Sequence, residues 1–151
     1  MVFMGIFKNL NSGKIQPSQD FLKEGTLGFI LRCYFEDKKE ELPPIPFVRL
    51  DPKTKRYIAI DGHNLLAVND LLGIKTKVFV AKSSHDKLLP ISSTSLEGVH
   101  KRNQDLNENF EKVLAEAEKM CNKGLDSIAA LRRRYPFLGS VAKAKKHYRL
   151  L

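Results

Sequence analysis

The sequence predicts an α+β fold in which a small mixed β-sheet carries flanking helices, followed by a helical, basic C-terminal extension. Three observations predict it. Two short apolar runs, 45–50 and 56–60, flank the turn-forming stretch Asp51-Pro52-Lys53-Thr54-Lys55 and read as a hairpin. Directly after them the apolar spacing turns helical, with Leu65, Val68, Leu71 and Leu72 on one face. Hydrophobic residues make up 42% and charged residues 28% of the chain, close to the globular average, which excludes a wholly disordered, collagen-like or disulfide-scaffold protein.

Taken in order, the chain opens with a short lead. Its apolar residues are interrupted by Lys8, no small-residue cleavage site follows, and no stretch approaches ~18 apolar residues. Neither an export signal nor a membrane span is expected. The breaker run Asn11-Ser12-Gly13 precedes Ile15 and Pro17, then a helix that Gly25 is expected to break. Thr26 is a candidate cap for a second helix, with Leu27, Ile30, Leu31 and Tyr34 at helical spacing.

The Pro43-Pro44 pair stops that helix, and Pro46 constrains the start of the first hairpin strand. Tyr57-Ile58-Ala59-Ile60 is rich in β-formers. Gly73 sits where a C-terminal cap of the following helix belongs, and 77–81 reads as a third strand. Residues 83–104, polar and turn-rich with Pro90 and Ser92-Ser93, read as mostly loop. A helix over 105–120 presents Leu106, Phe110, Val113, Leu114 and Ala117 on one face, and a shorter one around Leu125, Ile128, Ala129 and Leu131 ends near Pro136. At 151 residues the whole fits one domain: a core over 1–82, a loop-rich connection over 83–104, and an extension over 105–151 packed on the same body.

Charge is unevenly spread. Residues 1–118 hold 17 Lys and Arg against 16 Asp and Glu, whereas 119–151 hold 9 against 1. The basic tail favours a polyanionic partner by Coulomb attraction and counterion release. Arg132, Arg133, Arg134, Lys143, Lys145, Lys146 and Arg149 are interleaved with Tyr135 and Tyr148, a mixture suited to phosphates and to stacking on bases, and DNA is favoured over RNA. The same run also suits a solvated tail, or one docked on the acidic stretch 36–41.

Cys33 and Cys121 make no disulfide framework and no paired zinc ligands, and they suit a reducing cytoplasm. His85, His100 and His147 lack metal-site spacing. P-loop and G-x-S-x-G runs do not occur, which removes those enzyme classes.

Chemistry is expected at Asp61-Gly62-His63-Asn64, where a strand hands over to a helix. A glycine there lets the backbone approach a ligand, and the first amides of the helix favour phosphate or carboxylate. Asp61 is a candidate to cap the turn or hold a cation, His63 to touch phosphate or move a proton, and Asn64 to cap the helix. The same residues also suit a turn that is purely structural.

Pro43-Pro44-Ile45-Pro46-Phe47-Val48, Tyr57-Ile58-Ala59-Ile60-Asp61-Gly62-His63, Leu71-Leu72-Gly73 and Lys77-Val78-Phe79-Val80 together resemble the ParB/sulfiredoxin-like superfamily, with Ile15 and Pro17 matching its opening strand. The likeness spans roughly 15–82. It implies a nucleotide- or nucleic-acid-binding protein with a phosphate-binding turn at Gly62, His63 and Asn64, and a nucleoside di- or triphosphate with Mg2+ as the cofactor.

The alternatives it carries are a kinase resembling the free serine kinases, or a nuclease, using Asp61 and His63; a non-catalytic interaction module is the third. Two departures bear on it. The arginine that the resemblance calls for after the turn is replaced by Leu65, and His63 stands where sulfiredoxins need a nucleophilic cysteine. A kinase would also need an acidic base, for which Asp20, Glu24, Glu36 and Asp37 are available.

Overall fold

A computed structural model describes residues 6–86 and 97–150. Among these residues the strands β1 (Ile6–Leu10), β2 (Phe47–Leu50), β3 (Tyr57–Ala59) and β4 (Thr76–Ala81) form one mixed sheet in the order β1-β4-β2-β3. The hairpin forms as the turn chemistry dictates: Val48 lies opposite Ala59, and Leu50 opposite Tyr57. Asp51 closes it by accepting from the Lys53 amide and the Thr54 hydroxyl.

From β3 the chain passes into α2 (His63–Leu72) and returns as β4, parallel to β2. Gly73 ends α2 in the left-handed region at φ 71°, its amide and that of Ile74 bonding back to Asp70 and Asn69 carbonyls.

The period-2 alternation of the strands sorts side chains into two cores. Val48, Ala59, Val78 and Val80 pack on α1 (Glu24–Phe35), α2, α5 (Ile128–Arg133) and α6 (Val141–His147). Phe47, Ile58 and Phe79 face the other way, onto Phe110, Val113 and Ala117 of α4 (Phe110–Asn122). Each of Leu27, Ile30 and Leu31 on α1 is fully buried, which contributes about 1.5–3 kcal/mol per side chain.

Several expectations are corrected. The N-terminal lead contains an edge strand, β1, whose residues are mostly exposed; it forms by antiparallel pairing with β4 rather than by an apolar pattern of its own. Ile15 and Pro17 do not open a strand of the sheet: between them, Gln16 makes a single parallel bridge to Ile58. Among the described residues the only helical element before α1 is a single 3-10 turn, Ser12–Lys14, and Gly25 instead lies in the first turn of α1, where a missing side chain costs little.

The stretch read as loop is helical from Glu97, in α3 (Glu97–Glu108), while Pro90 and Ser92-Ser93 lie outside the described residues. The helix expected over 105–120 is two helices, α3 and α4, separated at Asn109. The tail is neither loose nor docked on the acidic stretch 36–41. Tyr148 lies against Gly28 and donates to the Glu24 carbonyl, and His147 pairs with Glu24, so α6 packs on α1.

Candidate functional site

The turn from β3 into α2 opens onto a cleft of about 410 Å3. Gly62 is the N-cap of α2 at φ 91°, ψ 20°, and no side chain caps the helix. Among the described residues, the amides of His63, Asn64 and Leu65 have no acceptor, the first intrahelical bond being Leu66 N–H to the Gly62 carbonyl. This is a row of free donors at the positive end of a helix dipole. Lys23 and Arg102 line the same cleft, together with Phe21, whose ring is 48% exposed, and Gln19.

Pro46 brings the turn this close. A β-carbon on Gly62 would lie 2.5–2.8 Å from Pro46 Cβ, Cγ and Cα. The proline of the first hairpin strand and the glycine of the turn are therefore one packing unit, and only glycine fits it.

The four motif residues divide their duties differently from the expectation. His63 is 2% exposed, and its Nε2 accepts from the Ser18 amide at 3.0 Å. Burial lowers its pKa to about 4, against the smaller opposing pull of Asp61. At neutral pH the ring is uncharged, with the proton on Nδ1 and Nε2 already occupied. The His63 ring, expected to move a proton, acts in the structure as an acceptor that clamps the backbone of residue 18.

Asn64 does not cap its own helix; its Oδ1 accepts from the Lys23 amide at 2.8 Å and fixes the start of α1 against α2. Asp61 does not cap either. It accepts from Arg102 Nη2 at 3.1 Å and Asn103 Nδ2 at 3.3 Å, tying α3 to the turn.

Among the described residues Asp61 is the one carboxylate lining the cleft. Asp20 pairs with Lys123, Glu24 with His147 and Glu36 with Lys38, so none of the acids considered as a kinase base is gathered there, nor is Asp37. No group of three or more metal-ligating side chains occurs among the described residues.

The basic residues of the tail split into two sets. Arg132 is internal: Nε pairs with Asp70 at 2.7 Å, Nη1 donates to the Leu138 carbonyl at 2.7 Å, and the side chain is 15% exposed. Lys145 lies over the Phe35 ring, 4.4 Å from its centroid, and Arg134 donates to the Lys123 carbonyl. Arg134, despite that bond, is exposed, as are Arg133, Lys143, Lys146 and Arg149. Arg132, expected to contact nucleic acid, instead has its Nε and Nη1 engaged inside the fold.

Replacing Arg132 by Met is expected to cost about 2–3 kcal/mol in urea unfolding, the loss of charge-assisted bonds that leaves Asp70 unpaired. Lys143→Gln should stay within about 0.5 kcal/mol of the wild type.

Sequence reasoning missed Lys23, Phe21 and Arg102. Arg102 was hidden because the residues of α3 described as buried are Asn103 and Asn107, with Leu106 only half-buried, so hydrophobic periodicity is weak there. The available signal was the i, i+4 spacing of those asparagines, continued at i+7 by Phe110.

No helix among the described residues is long and apolar enough to cross a membrane. Comparison of the chain with protein-family models, curated proteins and solved structures finds no match.

Proposed function

We propose that the cleft at the N-terminus of α2 binds the phosphate of a nucleotide or nucleic acid, in the manner of ParB-like proteins. The observation that carries this is the uncapped row of amides at His63, Asn64 and Leu65, opened by left-handed Gly62 and faced by two cations. Donors of this kind select an anion with several acceptor oxygens, as phosphate has. Arg102, reaching in from α3, stands in for the guanidinium that Leu65 lacks, and the exposed ring of Phe21 offers a face for a base. The exposed cations Arg133, Lys143, Lys146 and Arg149 add long-range attraction if the ligand is DNA.

A phosphotransferase or nuclease reading is weaker, since the buried, neutral ring of His63 supplies no base at the cleft.

Thermal melting and calorimetric titration with ATP, ADP, CTP, GTP and a DNA duplex at low salt test the reading. Binding raises the melting temperature, and Arg102→Ala or Lys23→Ala weakens affinity roughly ten- to a hundredfold, the value of one charge-assisted contact. If DNA is the ligand, Lys143→Gln/Lys146→Gln/Arg149→Gln reduces the salt dependence. Unchanged melting with every one of these ligands sinks the proposal.

A further inference from the structure

A second cavity of about 410 Å3 lies at the start of α4, on the sheet face that α4 covers, and Arg49 of β2 is among its lining residues. Arg49 is only 8% exposed, yet among the described residues no carboxylate lies within ion-pairing distance of it. Its Nη1 donates to Asn107 Oδ1 at 2.8 Å, to the Asn107 carbonyl at 3.2 Å and to Ser84 Oγ at 3.4 Å. Among the described residues, Nε is buried without a hydrogen-bond partner and Nη2 makes no hydrogen bond. The guanidinium carbon sits 4.2 Å from the centroid of Phe110, the first residue of α4, whose N-terminus has no side-chain cap.

A buried cation without a counter-ion costs several kcal/mol, and folded proteins ordinarily meet that cost with a paired carboxylate. Asp51 and Asp86 act on Arg49 only at a distance, their own carboxylates being engaged by loop amides and, for Asp51, by the Thr54 hydroxyl. The edge that lacks partners, Nε with Nη2, has the geometry that receives a carboxylate through two parallel hydrogen bonds. Glu108 and Glu111 also line the cavity, with Lys112. Their charge disfavours a dianion such as phosphate and leaves a flat monoanion as the better guest, with Phe110 as its apolar wall.

We propose that this cavity binds the carboxylate of a small organic acid, with Arg49 as its anchor and the first amides of α4 as further donors.

The test is a titration of the full chain with acetate and with benzoate, followed on the Arg49 Nε–Hε resonance in two-dimensional NMR, with sodium chloride at matched ionic strength and inorganic phosphate as the other arms. A saturable shift of that resonance and of the Phe110 amide is expected with the carboxylates and not with chloride. Glu111→Gln, which removes a rim charge and leaves the anchor intact, should tighten binding about two- to fivefold. The proposal is overturned by an Arg49 signal that does not saturate with either acid or moves equally in chloride. It is equally overturned if phosphate binds more tightly than the carboxylates. The outcome is independent of the cleft at α2, because no nucleotide is involved and Arg49 does not line that cleft.

Discussion

Gly62→Ala is expected to lose about 3–5 kcal/mol in urea unfolding, more than Gly73→Ala. Two costs combine. An L-residue held at φ 91° carries roughly 1–3 kcal/mol of backbone strain. The added carbon also meets Pro46 at 2.5–2.8 Å, and because one of the atoms struck is the proline Cα, no side-chain rotation relieves the clash; overpacking of this kind costs about 1–3 kcal/mol more.

Gly73→Ala separates the two terms. Its φ is 71°, but nothing lies within 4 Å of the new carbon, so only the conformational cost of about 1–2 kcal/mol remains. Equal losses in the two variants would show that Pro46 yields, and that the close approach of the turn to the hairpin is not rigid. Where Gly62→Ala still folds in the cold, the proposed phosphate binding should be lost with it, because the displaced turn misdirects the amides of His63 and Asn64.

Acid weakens the fold through His63. Its pKa is near 4 in the folded protein against about 6.5 for an unburied imidazole, since burial penalises the charged ring. Above pH 6.5 the ring is neutral in both states and stability does not depend on it. As the pH falls below 6.5 the unfolded chain takes up a proton that the folded chain refuses until about pH 4, so unfolding is favoured by about 1.4 kcal/mol per pH unit, roughly 3 kcal/mol in all.

Urea unfolding at about pH 7 and pH 5 should therefore differ by about 2 kcal/mol in the wild type. In His63→Gln, whose amide oxygen can still accept from Ser18, most of that difference disappears. A slope that persists in the variant assigns the acid sensitivity elsewhere. Asp20 does not confuse this window: Lys123 lowers its pKa, so the stability it contributes is present above the ordinary carboxylate value and is lost only as the pH falls below it.

Both effects arise at residues the sequence had already singled out, but for reasons it does not contain. Asp61-Gly62-His63-Asn64 was legible as a junction because the apolar period changes from two to helical within a few residues, and glycine is the residue that such a bend needs. The roles within the motif were not legible. Whether an imidazole is a base or a buried acceptor depends on what covers it, and here the cover is the backbone of Ser18, 45 residues away.

The tail shows the same division. Its net charge is visible in the composition, but Arg132 differs from Arg133 only in facing Asp70 across the fold. β1 and α3 escaped for a related reason. One is held by pairing to β4 with little burial of its own, and the other buries asparagines, so neither carries the apolar rhythm that marks an element from within.

Local order was thus written in the chain: the α+β class, the hairpin, the glycine-ended helix α2, the apolar faces of α1 and α4 and the lopsided charge all follow from interactions among residues near one another in sequence. The cleft, the reach of Arg102 into it, the silencing of the His63 ring and the unpaired Arg49 were decided only when distant segments met. Hydrogen bonding, desolvation and ion pairing act over a few ångströms of space, and chain separation carries no record of which groups folding will bring within that range.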